Sequence, residues 1–178
     1  MSASVSTLLA TAPLLPPGLR LREELVSDRE FLADLYASTR AEELRPVPWP
    51  EAQKRVFLAE QFDLQWAHYR RFYPDAEWLI IVREAQVIGR VYVNTTAAEV
   101  RLMDLALLAQ QRNQGLGTLF MRHLIHYADA LGLPLTLHVE PFNPALHLYE
   151  RLGFALRETR GIYLFMERPA NGGTDDSG

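Results

Sequence analysis

The chain has 178 residues, which suits one domain, and 48% of them are hydrophobic, enough for a substantial core. Its formal net charge of -4 provides no basic field, so neither nucleic acid nor an anionic membrane surface is an expected partner. The absence of cysteine excludes a disulfide framework, a thiolate nucleophile and a cysteine metal site.

Residues 1–18, rich in Ser, Thr, Ala and Pro, and residues 169–178, PANGGTDDSG, are expected to be disordered tails around one domain at 19–168. The early stretch VSTLLATAPLLPP lacks a basic leader region and is broken by prolines. No apolar run approaches the ~20 residues of a membrane span, so a cytoplasmic location is the expectation.

Strand and helix signals alternate between the tails. LRLREEL alternates apolar and charged residues, as a half-exposed strand does. Ser27 and Glu30 have capping-box spacing and predict a helix to about Arg40. RPVPWP breaks the chain, and Pro50 opens a longer helix to about Tyr73. Phe62, Trp66, Tyr69 and Tyr73 form one stripe on it, read as core. EWLIIVRE and QVIGRVYVN read as strands joined by a tight turn, and EVRLMDLALL as a third. A helix runs from about Gly115 to Gly132, with Pro134 beyond. LPLTLHVE is a strand, NPALHLYERLGF a short helix ended by Gly153, and FALRET with GIYLFMER a closing hairpin. The order β-α-α-β-β-β-α-β-α-β-β implies an α/β fold with a central mixed sheet flanked by helices.

The stretch RNQGLG, Arg112 to Gly117, places two glycines where a strand runs into a helix. Glycine is about 1 kcal/mol worse than alanine inside a helix, so a bare backbone there needs a reason. The first N–H groups of a helix lack internal partners, and the dipole adds positive charge. Such a terminus suits a pyrophosphate, with Gly115 and Gly117 allowing close approach and Arg112 adding a cation. Close packing of the turn is the structural alternative.

RNQGLG after an apolar strand, followed by NPALHLYERLGF, resembles the two signatures of the GNAT N-acyltransferase superfamily. Asn113 stands where relatives often carry Gly, and Ala109 where many carry Pro. The resemblance implies acetyl-CoA as donor co-substrate and a sheet whose central strands splay. It implies that Arg112, Asn113, Gln114, Gly115, Leu116, Gly117 and Thr118 surround the pyrophosphate. The pantetheine arm would bond backbone at Leu105 and Leu107, with Asn143 also on the coenzyme. A bulge is expected near Asp104 to Leu107. The implied acceptor is a primary amine on a small molecule or a protein, and a homodimer is compatible with the family. A non-catalytic acyl-CoA sensor or an interaction module on the same fold is the alternative.

Acyl transfer to an amine needs a base, an oxyanion donor and an acid. His138 has a suitable ordinary pKa of ~6.5 and lies on the strand beside the implied gap; Glu140, Asp104 or a water chain are alternatives. A backbone N–H near Leu107 is the implied oxyanion donor. Tyr149 is the acid that the resemblance implies, and a buried, satisfied tyrosine is its structural reading. With no Cys, and no Ser between Ser38 and Ser177, a covalent route is not expected. His123 and His126 lie three apart on a helix, are expected to face solvent, and lack a third ligand, so no metal is expected. Arg90, Tyr92 and Asn94 alternate on one strand and are read as a polar sheet face rather than acceptor contacts.

Overall fold

The computed structural model describes residues 15–171. Strand β1 (Leu19–Glu23) leads to helices α1 (Arg29–Leu44) and α2 (Glu51–Phe72). Strands β2 (Glu77–Arg83), β3 (Gln86–Thr95) and β4 (Val100–Leu107) follow, then α3 (Leu116–Leu131) and β5 (Leu135–Val139). The chain closes with α4 (Leu146–Arg151), β6 (Ala155–Arg160) and β7 (Tyr163–Arg168). This is the predicted order, with element ends moved by a few residues. Most of the expected tails lie outside the described residues. Within them, Leu15 packs into the core and the Asn171 N–H reaches Asp129 Oδ1 at 3.1 Å.

One seven-stranded sheet has the order β1-β2-β3-β4-β5-β7-β6. Every neighbouring pair is antiparallel except β4 with β5. A parallel pair needs a crossover, and α3 supplies it. The apolar stripe of α3, including Phe120, Met121, Leu124 and Tyr127, covers one face of the sheet against Val93, Leu102, Leu135 and Leu137. On the other face, Leu32 and Tyr36 of α1 and Leu58 and Phe62 of α2 pack on Ile80 and Val82. No helix among the described residues is long and apolar enough to cross a membrane.

Helix α1 does not begin on the expected Ser27 and Glu30 pair. A short 3-10 turn, Val26–Asp28, precedes it. The Asp28 carboxylate accepts the Leu25 N–H at 2.7 Å and both Arg22 Nη1 and Nη2 at 2.8 Å. That charged pairing holds Asp28 below the usual carboxylate range and sets the helix start instead. Helix α3 ends as the sequence predicts. Gly132 is left-handed at φ 67°, and the Leu133 N–H reaches Ala128 O at 3.0 Å.

The expected bulge lies at Met103, one residue before the predicted stretch. Tyr92 pairs with Asp104 while the next residue, Val93, pairs with Leu102, so Met103 is extra. Farther along the same ladder, where Gly89 pairs with Leu107, β4 comes very close: a Cβ on Gly89 would sit 2.3 Å from Ala106 O. Backbone cannot yield as a side-chain tip can. Gly89→Ala is expected to cost about 1–3 kcal/mol of stability through overpacking, read by chemical denaturation. An unchanged midpoint would show that β4 has slack at this point.

Candidate active site between the splayed strands

The bulge decides which way the backbone of β4 faces. The Val100 N–H bonds toward β5, to Pro134 O at 2.9 Å. The Leu108 N–H bonds toward β3, to Ile88 O at 2.9 Å. In a regular strand these two, eight residues apart, would point to the same side. Met103 reverses the alternation, so Leu105 and Leu107 turn their N–H and C=O groups toward β5. There they find no strand. The β4–β5 ladder holds only at Val100 with Leu135, Arg101 with Thr136 and Leu102 with Leu137. Beyond it opens a cleft of about 1240 Å³ whose walls include Leu105, Leu107, His138, Asn143 and Tyr149.

At one end of the cleft β4 turns into α3. Asn113 is left-handed at φ 60°, and Gly115, the N-cap of α3, at φ 80°. Asn tolerates this region better than most residues. Leu119 is the residue whose N–H bonds back to Gly115 O, at 3.0 Å, so the amides of Leu116, Gly117 and Thr118 lie free at the helix mouth. A Cβ on Gly115 or Gly117 would meet nothing within 4 Å. Close packing therefore does not explain these glycines. Buried Leu116 anchors the turn below, and Arg83 braces it outside by donating to Gln111 and Gln114 at 3.0 Å. Arg112 Nε donates to Leu107 O at 3.0 Å, which joins the helix mouth to the open edge of β4.

Tyr149 projects from α4, its ring 5.8 Å from that of Phe154. Burial, and then the negative charge of Asp104, raise its pKa, so the phenol stays protonated at neutral pH. Asn143 lines the cleft, but its Oδ1 accepts the Ala145 N–H at 2.9 Å and shapes the local turn. His138 is exposed on β5, and its Nε2 lies 3.3 Å from Arg160 Nη1. Arginine only donates, so Nε2 accepts. Burial of part of the ring, Arg101 and Arg160 lower its pKa. Glu140 reaches Arg40 at 3.6 Å, while Asp104 is held by Arg90.

Several expectations change here. His123 is buried at 6% exposure rather than solvent-facing, because it lies on the core side of α3. His126 remains exposed, and no group of three metal-ligating side chains occurs among the described residues. Arg90 and Tyr92 are not a solvated face. They are buried beneath α2 in a network the sequence reading missed, with Tyr92 donating to Glu24 at 2.6 Å and Arg70 to the same carboxylate at 2.6 Å. Their alternation was visible, but the helix that covers them was not.

Comparison with known proteins bears on this geometry. The Mus musculus cysteine-rich protein 2-binding protein is 30% identical over 87 residues, which is 48% of this chain. The chain spans only 11% of that protein. The PaiA N-acetyltransferase of Thermoplasma acidophilum, solved in complex with coenzyme A, superposes with a TM-score of 0.64 at 18% identity, covering 85% of this chain and 98% of that one. An acetyltransferase of Streptococcus agalactiae superposes at 0.61 with 16% identity, covering 86% and 99%. These structures share the fold. A family profile described as Acetyltransferase (GNAT) family matches residues 34–154, a span that runs from α1 through β4, the glycine turn and α4, and the chain belongs to that family.

Proposed function

We propose that the chain transfers an acetyl group from acetyl-CoA to a primary amine by direct attack in a ternary complex. The observation that carries this reading is the open edge of β4, with the free amides of α3 at its end. The two are continuous, as a bound acyl-CoA requires. The pyrophosphate lies against the turn from Arg112 to Thr118, where Gly115 and Gly117 leave room outside the backbone. The pantetheine arm runs along β4 and bonds to Leu105 and Leu107 in place of the missing strand, with Asn143 across from it. Arg112, now on Leu107 O, stands where these two halves meet.

The acceptor nitrogen must be neutral to attack. For an alkylamine of pKa ~10.4 this costs about 4 kcal/mol at neutral pH. His138 takes the proton. Its lowered pKa keeps it neutral and able to accept. Arg160 occupies the Nε2 lone pair, and its side chain, 41% exposed, has room to move aside. As nitrogen bonds to the thioester carbon, a backbone N–H near Leu107 faces the developing oxyanion. One such donor contributes about 10²–10³ in rate. The C–S bond then breaks, and Tyr149 gives its proton to the leaving sulfur. Solvent restores the phenol and removes the proton from His138.

Three outcomes are expected. Gly115→Glu places a carboxylate at the pyrophosphate and forces a side chain into φ 80°; CoA binding, followed by calorimetry, should be lost. Retained affinity would put the pyrophosphate elsewhere. Tyr149→Phe should lower kcat by about 10²–10⁴ while the Kd for CoA is unchanged, and equal turnover would end the acid assignment. His138 serves as base only when neutral, so activity falls as pH drops through its pKa, which lies below the ordinary ~6.5. Arg160→Gln removes one cause of that lowering, so the acid limb of kcat/KM should move up in pH. A limb that stays in place would assign it to another group.

A further inference from the structure

Arg90 is only 3% exposed, an unusual place for a guanidinium. Its Nε donates to Asp104 Oδ2 at 2.6 Å, and its Nη2 contacts the same oxygen. Nη2 also donates to Gln65 Oε1 on α2 at 3.0 Å, and the guanidinium lies 4.7 Å from the centre of the Tyr92 ring. Both Arg90 contacts therefore fall on one carboxylate oxygen. Oδ1 of Asp104 has no hydrogen bond among the described residues. The Asp104 side chain is 26% exposed and lines the cleft.

Among the phenols that line the cleft are Tyr69 from α2 and Tyr149 from α4. Neither hydroxyl has a protein partner among the described residues. By contrast, two buried phenols elsewhere in the fold have partners: Tyr92 bonds Glu24 at 2.6 Å, and Tyr127 lies 3.2 Å from Thr95 Oγ1. The negative charge of Asp104 reaches both open phenols and, second to burial, raises the pKa of each. A half-buried carboxylate oxygen without a partner, beside aromatic rings, matches a cation. It matches a neutral nitrogen poorly, because no charge offsets the water it loses.

Resting on the acetyl-transfer reading above, we propose that Asp104 Oδ1 receives the acceptor nitrogen as an ammonium ion, with Arg90 as the positioning residue. The acceptors are accordingly basic alkylamines and not arylamines. Arg90 is a permanent cation whose planar fork fixes the carboxylate orientation. Gln65 makes that orientation depend on α2. The ammonium proton departs to His138 before attack.

The test uses ethylamine and aniline as acceptors with the full chain. Wild type should prefer ethylamine. Asp104→Asn should lower the ratio of kcat/KM for ethylamine over aniline by about tenfold to a hundredfold, mainly through KM, the range for loss of a hydrogen bond to a charged group. Gln65→Leu, which spares both charges, should raise the ethylamine KM with kcat and CoA affinity little changed. Arg90→Lys should restore part of the preference that Arg90→Met removes. A merely structural role would lower melting temperature and CoA affinity together and leave the amine ratio in place, and that result overturns the proposal. Calorimetry of ethylammonium on the CoA-loaded protein reads the same contact without turnover. Equal binding to wild type and Asp104→Asn also overturns it. If neither amine is acetylated yet ethylammonium binding depends on Asp104, the acetyl-transfer reading fails and the ammonium site stands.

Discussion

A single extra residue, Met103, governs the arrangement of this molecule. It reverses the hydrogen-bonding direction of β4 after Leu102, and the parallel ladder to β5 ends at that same residue. Unpaired backbone groups inside a sheet are costly unless something meets them. Here they face a cleft, so water or a bound chain can satisfy them. Any side chain at Gly89 would strike Ala106 O, so β3 and β4 lie close together along this stretch. The opening is thus built into backbone geometry rather than left to side-chain movement.

The two ends of the cleft use different physics. At the α3 mouth the positive character comes from helix amides and one arginine, with no carboxylate among the turn residues 112 to 118. At the other end, buried charges are matched one against another: Arg90 with Asp104, and Arg70 with Glu24 beneath Trp66 and Trp78. Desolvating such pairs is expensive, and packed apolar residues of similar size often stabilise a fold as well or better. A role in setting the orientation of Asp104 gives this arrangement a functional reason. It also ties the position of α2 to the floor of the cleft through Gln65.

Much of the architecture was legible in the linear chain, because local rules set it. Alternation and apolar runs marked the strands, Pro50 and Gly132 marked helix ends, and RNQGLG with LYERLGF marked the glycine turn and the short helix. Where local rules competed, the reading failed. Asp28 displaced Ser27 at the start of α1 because Arg22, on the neighbouring strand, supplied a stronger partner. His123 looked like a surface residue until α3 turned it toward the core.

The sequence by itself determined the order of elements, the glycine turn and the tyrosine of α4, since each depends on residues close together in the chain. Tertiary structure alone decided that the bulge falls at Met103, that Arg90 is buried against Asp104, and that Arg160 engages His138. Those pairings join residues 14 and 22 positions apart, brought together by sheet register. Register follows from the packing of the whole sheet, and no short stretch of sequence carries it.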